Sequence, residues 1–186
     1  MNISWVLADA ATIDPTQELE ILKHVGPVWG SWRTWRAYLT DNVICHDLAR
    51  ADELLRREFQ RSCNLYIPES IYTGLARPDG VQVYQGDFVH DVIRKEEIVA
   101  MHLSASTSDI VLLIGFDWST HEKNSNRLTE HQAQHYLGLT AQVIRDNPGT
   151  QWVLIDHVAE LHANFSNLEN LSTDTMSAVL SLIANQ

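Results

Sequence analysis

Residues 108–118 read SDIVLLIGFDW, an unbroken aliphatic run between a polar start and a Gly-Phe-Asp-Trp exit. Such a run has no alternation that would leave one face wet, so it predicts a strand covered on both sides, as in a parallel sheet between helices. Residues 150–157, TQWVLIDH, repeat the pattern. Between them lie a polar loop, STHEKNSNRL (119–128), and a segment from Thr129 in which Ala133, Leu137, Thr140 and Ile144 recur at helical steps before Asn147, Pro148 and Gly149 stop it. Strand, helix, strand is a βαβ unit, which closes with a right-handed crossover.

The same alternation extends in both directions. Upstream, DVIRKEEIVAMHLSAS (91–106) predicts a helix and ISWVLA (3–8) a strand. In DPTQ (14–17) Asp14 can cap a helix, Pro15 fits its first position and Gln17 can reach back; Leu19, Leu22 and Val25 share a face, and Gly26 with Pro27 ends it. NVIC (42–45) and NLYIP (64–68) read as strands around a helix beginning at Asp47, in which Leu48, Ala51, Leu55 and Phe59 recur on one face. Arg50, Arg57 and Arg61 fall on its polar faces, with Glu53 and Arg57 paired at i,i+4. The tail LSTDTMSAVLSLI (171–183) reads as a capped helix that packs through Met176, Leu180 and Ile183. These elements predict one α/β domain over residues 1–186, a Rossmann-like three-layer sandwich with a mostly parallel sheet.

The chain of 186 residues carries a net charge of -11, yet residues 23–61 hold seven Lys or Arg against five Asp or Glu. An acidic field repels a phosphate backbone, which excludes duplex nucleic acid as a general partner, while a small anion can still find the local basic segment. MNISWVLADAA lacks a basic leader region and no apolar run reaches membrane-spanning length, so a soluble, cytoplasmic protein without a membrane partner is expected. Cys45 and Cys63 form no CxxC pair and read as buried free thiols.

In open parallel sheets ligands bind beyond the carboxyl ends of the strands. That edge carries Asp9, His46, Asp47, Asp117, Trp118, Asp156 and His157. Carboxylates there can bind ribose hydroxyls or a cation, or act as nucleophile or base; aspartates at strand ends also serve as turn residues and caps, and Asp47 reads as one. The stretch GPVWGSWRTWR (26–36) adds Trp32, Arg33, Trp35 and Arg36. Its glycines and the following TDN (40–42) favour an extended, hairpin-like excursion, whereas a helix would gather Trp32, Trp35 and Arg36. Indole faces can stack on a base and guanidinium groups can fork onto phosphate. The competing readings are a tryptophan core with paired arginines, or a subunit interface that makes a homo-oligomer.

His131 and His135 in HQAQH have zinc-ligand spacing but lack the HExxH glutamate, and only His121 or Asp117 offers a third ligand, so no metal is predicted. No dinucleotide fingerprint, phosphate loop or nucleophile elbow occurs, and no cofactor is predicted.

At SASTSDIVLLIGFDW (104–118) the chain resembles the later half of nucleoside 2-deoxyribosyltransferase-like and SLOG-type Rossmann-like proteins, a likeness covering roughly residues 91–160. The resemblance implies a nucleoside- or nucleotide-derived ligand. It also implies a nucleophilic glutamate on the helix after that strand, and the nearest position is Glu130 in TEHQAQHYLGL. The Gly-Thr that precedes this glutamate in the transferases, and the glycine shortly after it, are not reproduced; Gly138 lies further along.

Three functions follow. The first is capture of a nucleotide-derived small molecule, as a sensor or sequestering protein, with Asp9, Trp32, Arg33, Trp35, Arg36, Trp118 and His157 as ligand-binding candidates. The second is hydrolysis or transfer at an N-glycosidic bond by a carboxylate, with Glu130, Asp117 and Asp156 as candidates. The third is a non-catalytic oligomeric protein built on the tryptophan cluster.

Overall fold

The computed structural model describes residues 1–8, 18–57, 62–84, 96–116, 118, 129–156, 165 and 167–184. In chain order the elements are β1 (Ile3–Leu7), α1 (Glu18–Val25), β2 (Val28–Ser31), α2 (Trp32–Tyr38), β3 (Asn42–Ile44), α3 (Leu48–Arg56), β4 (Asn64–Pro68), α4 (Glu69–Gly74) and β5 (Gln82–Tyr84). Then come α5 (Glu96–Ala105), β6 (Ile110–Ile114), α6 (Glu130–Asp146), β7 (Gln151–Ile155), β8 (Leu171–Asp174) and α7 (Met176–Ala184). The eight strands form one sheet in the order β5-β4-β3-β2-β1-β6-β7-β8, and every pairing is parallel.

Side chains alternate across this sheet into two apolar layers. Val6, Trp29, Ile44, Val111, Leu113, Trp152 and Leu154 point to one face, where α5 and α6 cover them with Ile98, Met101, Ala133, Leu137 and Ile144. On the opposite face Trp5, Leu7, Val28, Leu112 and Ile155 meet Leu19 and Leu22 of α1 and Met176 and Val179 of α7. Further along that face Val43, Cys45, Leu65 and Ile67 meet Ala51, Leu54 and Ile71 of α3 and α4. Helices on both sides of a parallel sheet make the three-layer α/β sandwich. No helix among the described residues is long and apolar enough to cross a membrane.

Three local expectations are corrected. Residues 32–38 are helical rather than extended, because Ser31 acts as a cap: its hydroxyl accepts the backbone N–H groups of Arg33 and Thr34, both at 3.2 Å. That satisfies donors an extended strand would have to pair elsewhere, and it outweighs the strand-favouring tryptophans. The LSTD segment is not the start of the last helix. It forms β8 beside β7, and the helix begins only after Thr175, whose hydroxyl accepts the Ala178 N–H at 3.2 Å. In α3 the buried residues are Ala51 and Leu54, while Leu48 is 48% exposed.

Other expectations stand as read. Asp47 caps α3 by accepting the Arg50 N–H at 2.8 Å, Glu53 pairs with Arg57 at 2.9 Å, and α6 starts after Thr129, where the structure adds a reciprocal capping box with Gln132. The proposed start of α1 at Asp14, Pro15 and Gln17, together with Phe59 and Arg61, lies outside the described residues.

Candidate functional site

Strand order locates the edge where a ligand would sit. From β1 the sheet grows through β2 to β5 on one side, and from β6 to β8 on the other. The order therefore reverses between β1 and β6, the kind of position beyond whose carboxyl ends open α/β sheets admit ligands. The strands stay paired up to Leu7 and Ile114, and the Ala8 N–H donates to the Ile114 carbonyl at 2.9 Å. Gly115 then turns away with a φ of 74°, a conformation that costs glycine little and other residues more.

The neighbouring strand brings α2 to the same rim. β2 passes straight into the helix through Ser31, and the Thr34 hydroxyl approaches the Leu7 carbonyl at 3.5 Å. One turn of α2 and the neighbouring α3 gather a basic group. The guanidinium carbons of Arg33 and Arg36 each lie 5.8 Å from the Trp32 ring centroid, and that of Arg50 lies 4.7 Å away. Trp32 and Trp35 are half-buried against the core under α3, whereas Arg33 and Arg36 are exposed.

The remaining predicted site residues divide by position. Asp9, Asp117 and His157 lie outside the described residues, as does His121. Trp118 is core: it is 5% exposed, meets Phe116 edge-on and lies tilted beside Tyr136, and donates its indole N–H to Thr140 at 3.0 Å. Glu130 is exposed in the first turn of α6. Asp156 ends β7 in a left-handed conformation with φ of 48°, which aspartate tolerates better than most residues. Both its carboxylate oxygens face the Met176 N–H at 3.4 Å, so this acid lies against the start of α7. Glu130 and Asp156 thus belong to the β6–β7 side, and Arg33 and Arg36 to the β2 side, of the point where the strand order reverses.

A second cluster on the rim joins His46, which the sequence placed at a strand end, to partners that the sequence did not identify. His46 follows β3, and its backbone N–H donates to the Glu96 carboxylate at 2.8 Å, tying the start of α5 to the sheet. Its ring Nε2 is hydrogen-bonded to the Tyr84 hydroxyl at the end of β5. The next acid, Glu97, is only 3% exposed. Burial raises the Tyr136 hydroxyl above its usual pKa, and the Glu97 charge raises it further. The Cys45 thiol is pushed up to about 12, first by burial and then by Glu96; Cys63 is likewise pushed up to about 12, chiefly by burial. Both cysteines are buried and neither is in a disulfide; with thiols raised this far, neither is a thiolate nucleophile near neutral pH.

His46 was visible at the strand end, and Glu96 and Glu97 as an acidic pair ahead of an apolar helix. Tyr84 gave no signal, since a three-residue strand has too few positions to show a period. Replacing Tyr84 with Phe is expected to cost about 1 kcal/mol in urea unfolding, because it removes a partly buried hydrogen bond and keeps the ring. An unchanged midpoint would show that the pair adds nothing to the rim's stability.

Among the described residues no group of three or more His, Cys, Asp or Glu side chains is arranged to hold a metal ion. Compared with known proteins, the chain matches no protein-family model and no curated protein.

Proposed function

We propose that this protein binds a nucleotide-derived small molecule at the carboxyl rim of its sheet, in the crevice between β1 and β6. The observation that carries this reading is the reversal of strand order at that point, the position at which open α/β sheets admit ligands. The start of α2 beside β1, with exposed Arg33 and Arg36, supplies positive charge there for the ligand's anionic part. The likeness of residues 104–118 to nucleotide-handling families points to the same ligand class, although a shared fold alone does not specify function.

Isothermal titration against purine and pyrimidine mononucleotides, dinucleotides and cyclic nucleotides tests the proposal. At least one member is expected to bind and to raise the melting temperature in proportion to the logarithm of its concentration. No heat and no thermal shift with any member would remove this function.

A further inference from the structure

We infer that His46, Tyr84 and Glu96 form the subsite for the sugar of the ligand, with Glu96 accepting hydrogen bonds from two neighbouring hydroxyls. This rests on the ligand reading above and adds to it that the sugar is a ribose with an open 2′,3′-diol.

Three elements converge on this cluster from distant parts of the chain. His46 follows β3, Tyr84 ends β5 and Glu96 opens α5. The His46 N–H donates to the Glu96 carboxylate at 2.8 Å. The His46 ring Nε2 is hydrogen-bonded to the Tyr84 hydroxyl, and the two rings lie tilted with centroids 5.9 Å apart. Tyr84 is buried, whereas His46 and Glu96 are each half-buried and keep part of their surface open at the rim. The cluster is thus anchored from below and reachable from above.

Its position suits one nucleotide. β3 lies two strands from β1, about 10 Å at the usual strand spacing, a distance that a nucleotide bridges. The helix that opens with Glu96 packs on β1, β2, β3 and β6, so it spans the sheet on both sides of the strand reversal.

The chemistry of the cluster selects the sugar. Glu96 and its neighbour Glu97, the latter only 3% exposed, put negative charge at the start of α5, and that charge repels a phosphate. An ionised carboxylate accepts and never donates, with two oxygens and about four acceptor sites, so the group it meets must be a donor. The bond from His46 takes one of these sites and fixes the carboxylate in place. Among the parts of a nucleotide, the vicinal ribose hydroxyls present two adjacent donors to two adjacent oxygens, and bonds to a charged acceptor are the stronger kind.

The test titrates AMP, its 2′-deoxy and 2′,3′-dideoxy forms, IMP and ribose 5-phosphate into the wild type and Glu96→Gln by calorimetry. AMP is expected to bind the wild type and to lose about tenfold in affinity with each hydroxyl removed. IMP, which lacks the exocyclic amine, should match AMP. Glu96→Gln should weaken AMP about tenfold and leave the dideoxy form unchanged. Thermal melts control for folding, and the deoxy series on the wild type needs no variant. Equal binding of AMP and its dideoxy form to the wild type overturns the subsite and leaves the nucleotide reading standing. The same holds if Glu96→Gln weakens both forms equally, which marks an indirect effect, or if IMP alone is lost, which assigns the acid to the base. If ribose 5-phosphate binds and is weakened by Glu96→Gln while no nucleotide binds, the subsite stands and the nucleotide reading falls. No binding by any probe overturns both.

Discussion

Gly26→Ala is expected to destabilise the protein by about 3 kcal/mol, the upper part of the range for forcing extra atoms into a packed site. A Cβ at this position would lie 2.0 Å from the Ile3 carbonyl oxygen and 2.9 Å from its carbon. Both are backbone atoms of β1, which cannot swing aside as a side chain would. The turn is also fixed on each side of the contact. The Gly26 N–H closes α1 on the Leu22 carbonyl at 3.1 Å, and the Pro27 carbonyl accepts the Trp5 N–H at 3.0 Å. Relief would have to disturb the β1–β2 register near the middle of the sheet. Urea unfolding gives the readout through a lower midpoint at unchanged slope. A loss below about 1 kcal/mol would show that β1 yields locally.

Trp152→Ala should cost about 3–5 kcal/mol, the range for removing a large aromatic from a core. The side chain is fully buried in β7, within the layer covered by α5 and α6. Its indole nitrogen has no hydrogen-bond partner among the described residues, which makes Trp152→Phe the informative companion. Phenylalanine keeps a buried ring and discards a donor that burial has stripped of water, so it should cost less than about 1.5 kcal/mol. Equal losses in the two variants would show that the indole nitrogen is satisfied in solution.

The sequence made the sheet legible where strands are long and wholly apolar. IVLLI and WVLI leave no alternative face, and α6 announces itself through Thr129, Ala133, Leu137 and Ile144. Short elements were harder to read. Gln82–Tyr84 and Leu171–Asp174 are held by pairing with β4 and β7, and three or four residues carry too little pattern to show it. In α2 a local signal was present and was outvoted: Ser31 stands as a cap ahead of Trp32, while the neighbouring glycines and tryptophans favour extended chain. At the rim, strand ends reveal which residues can meet but not what holds them. Asp156 proves to lie against the start of α7, and His46 is joined to Tyr84 and Glu96 across 38 and 50 residues of sequence. Arg50 looked like an ordinary charged residue on a helix surface because its approach to Trp32 depends on how α3 packs beside α2.

The placement of β1 between β2 and β6 bears on how the chain is made. Five strands can pair in the sequence in which they leave the ribosome, but the other flank of β1 waits for a partner more than a hundred residues later, as the Ser4–Ser108 hydroxyl contact across 104 positions shows. Closing that distant pairing carries a large entropic barrier and leaves an apolar edge uncovered in the meantime. The seam at the centre of the finished molecule is therefore the open side of the nascent one, and a holding chaperone would find its binding surface there until residues 110–114 have been synthesised.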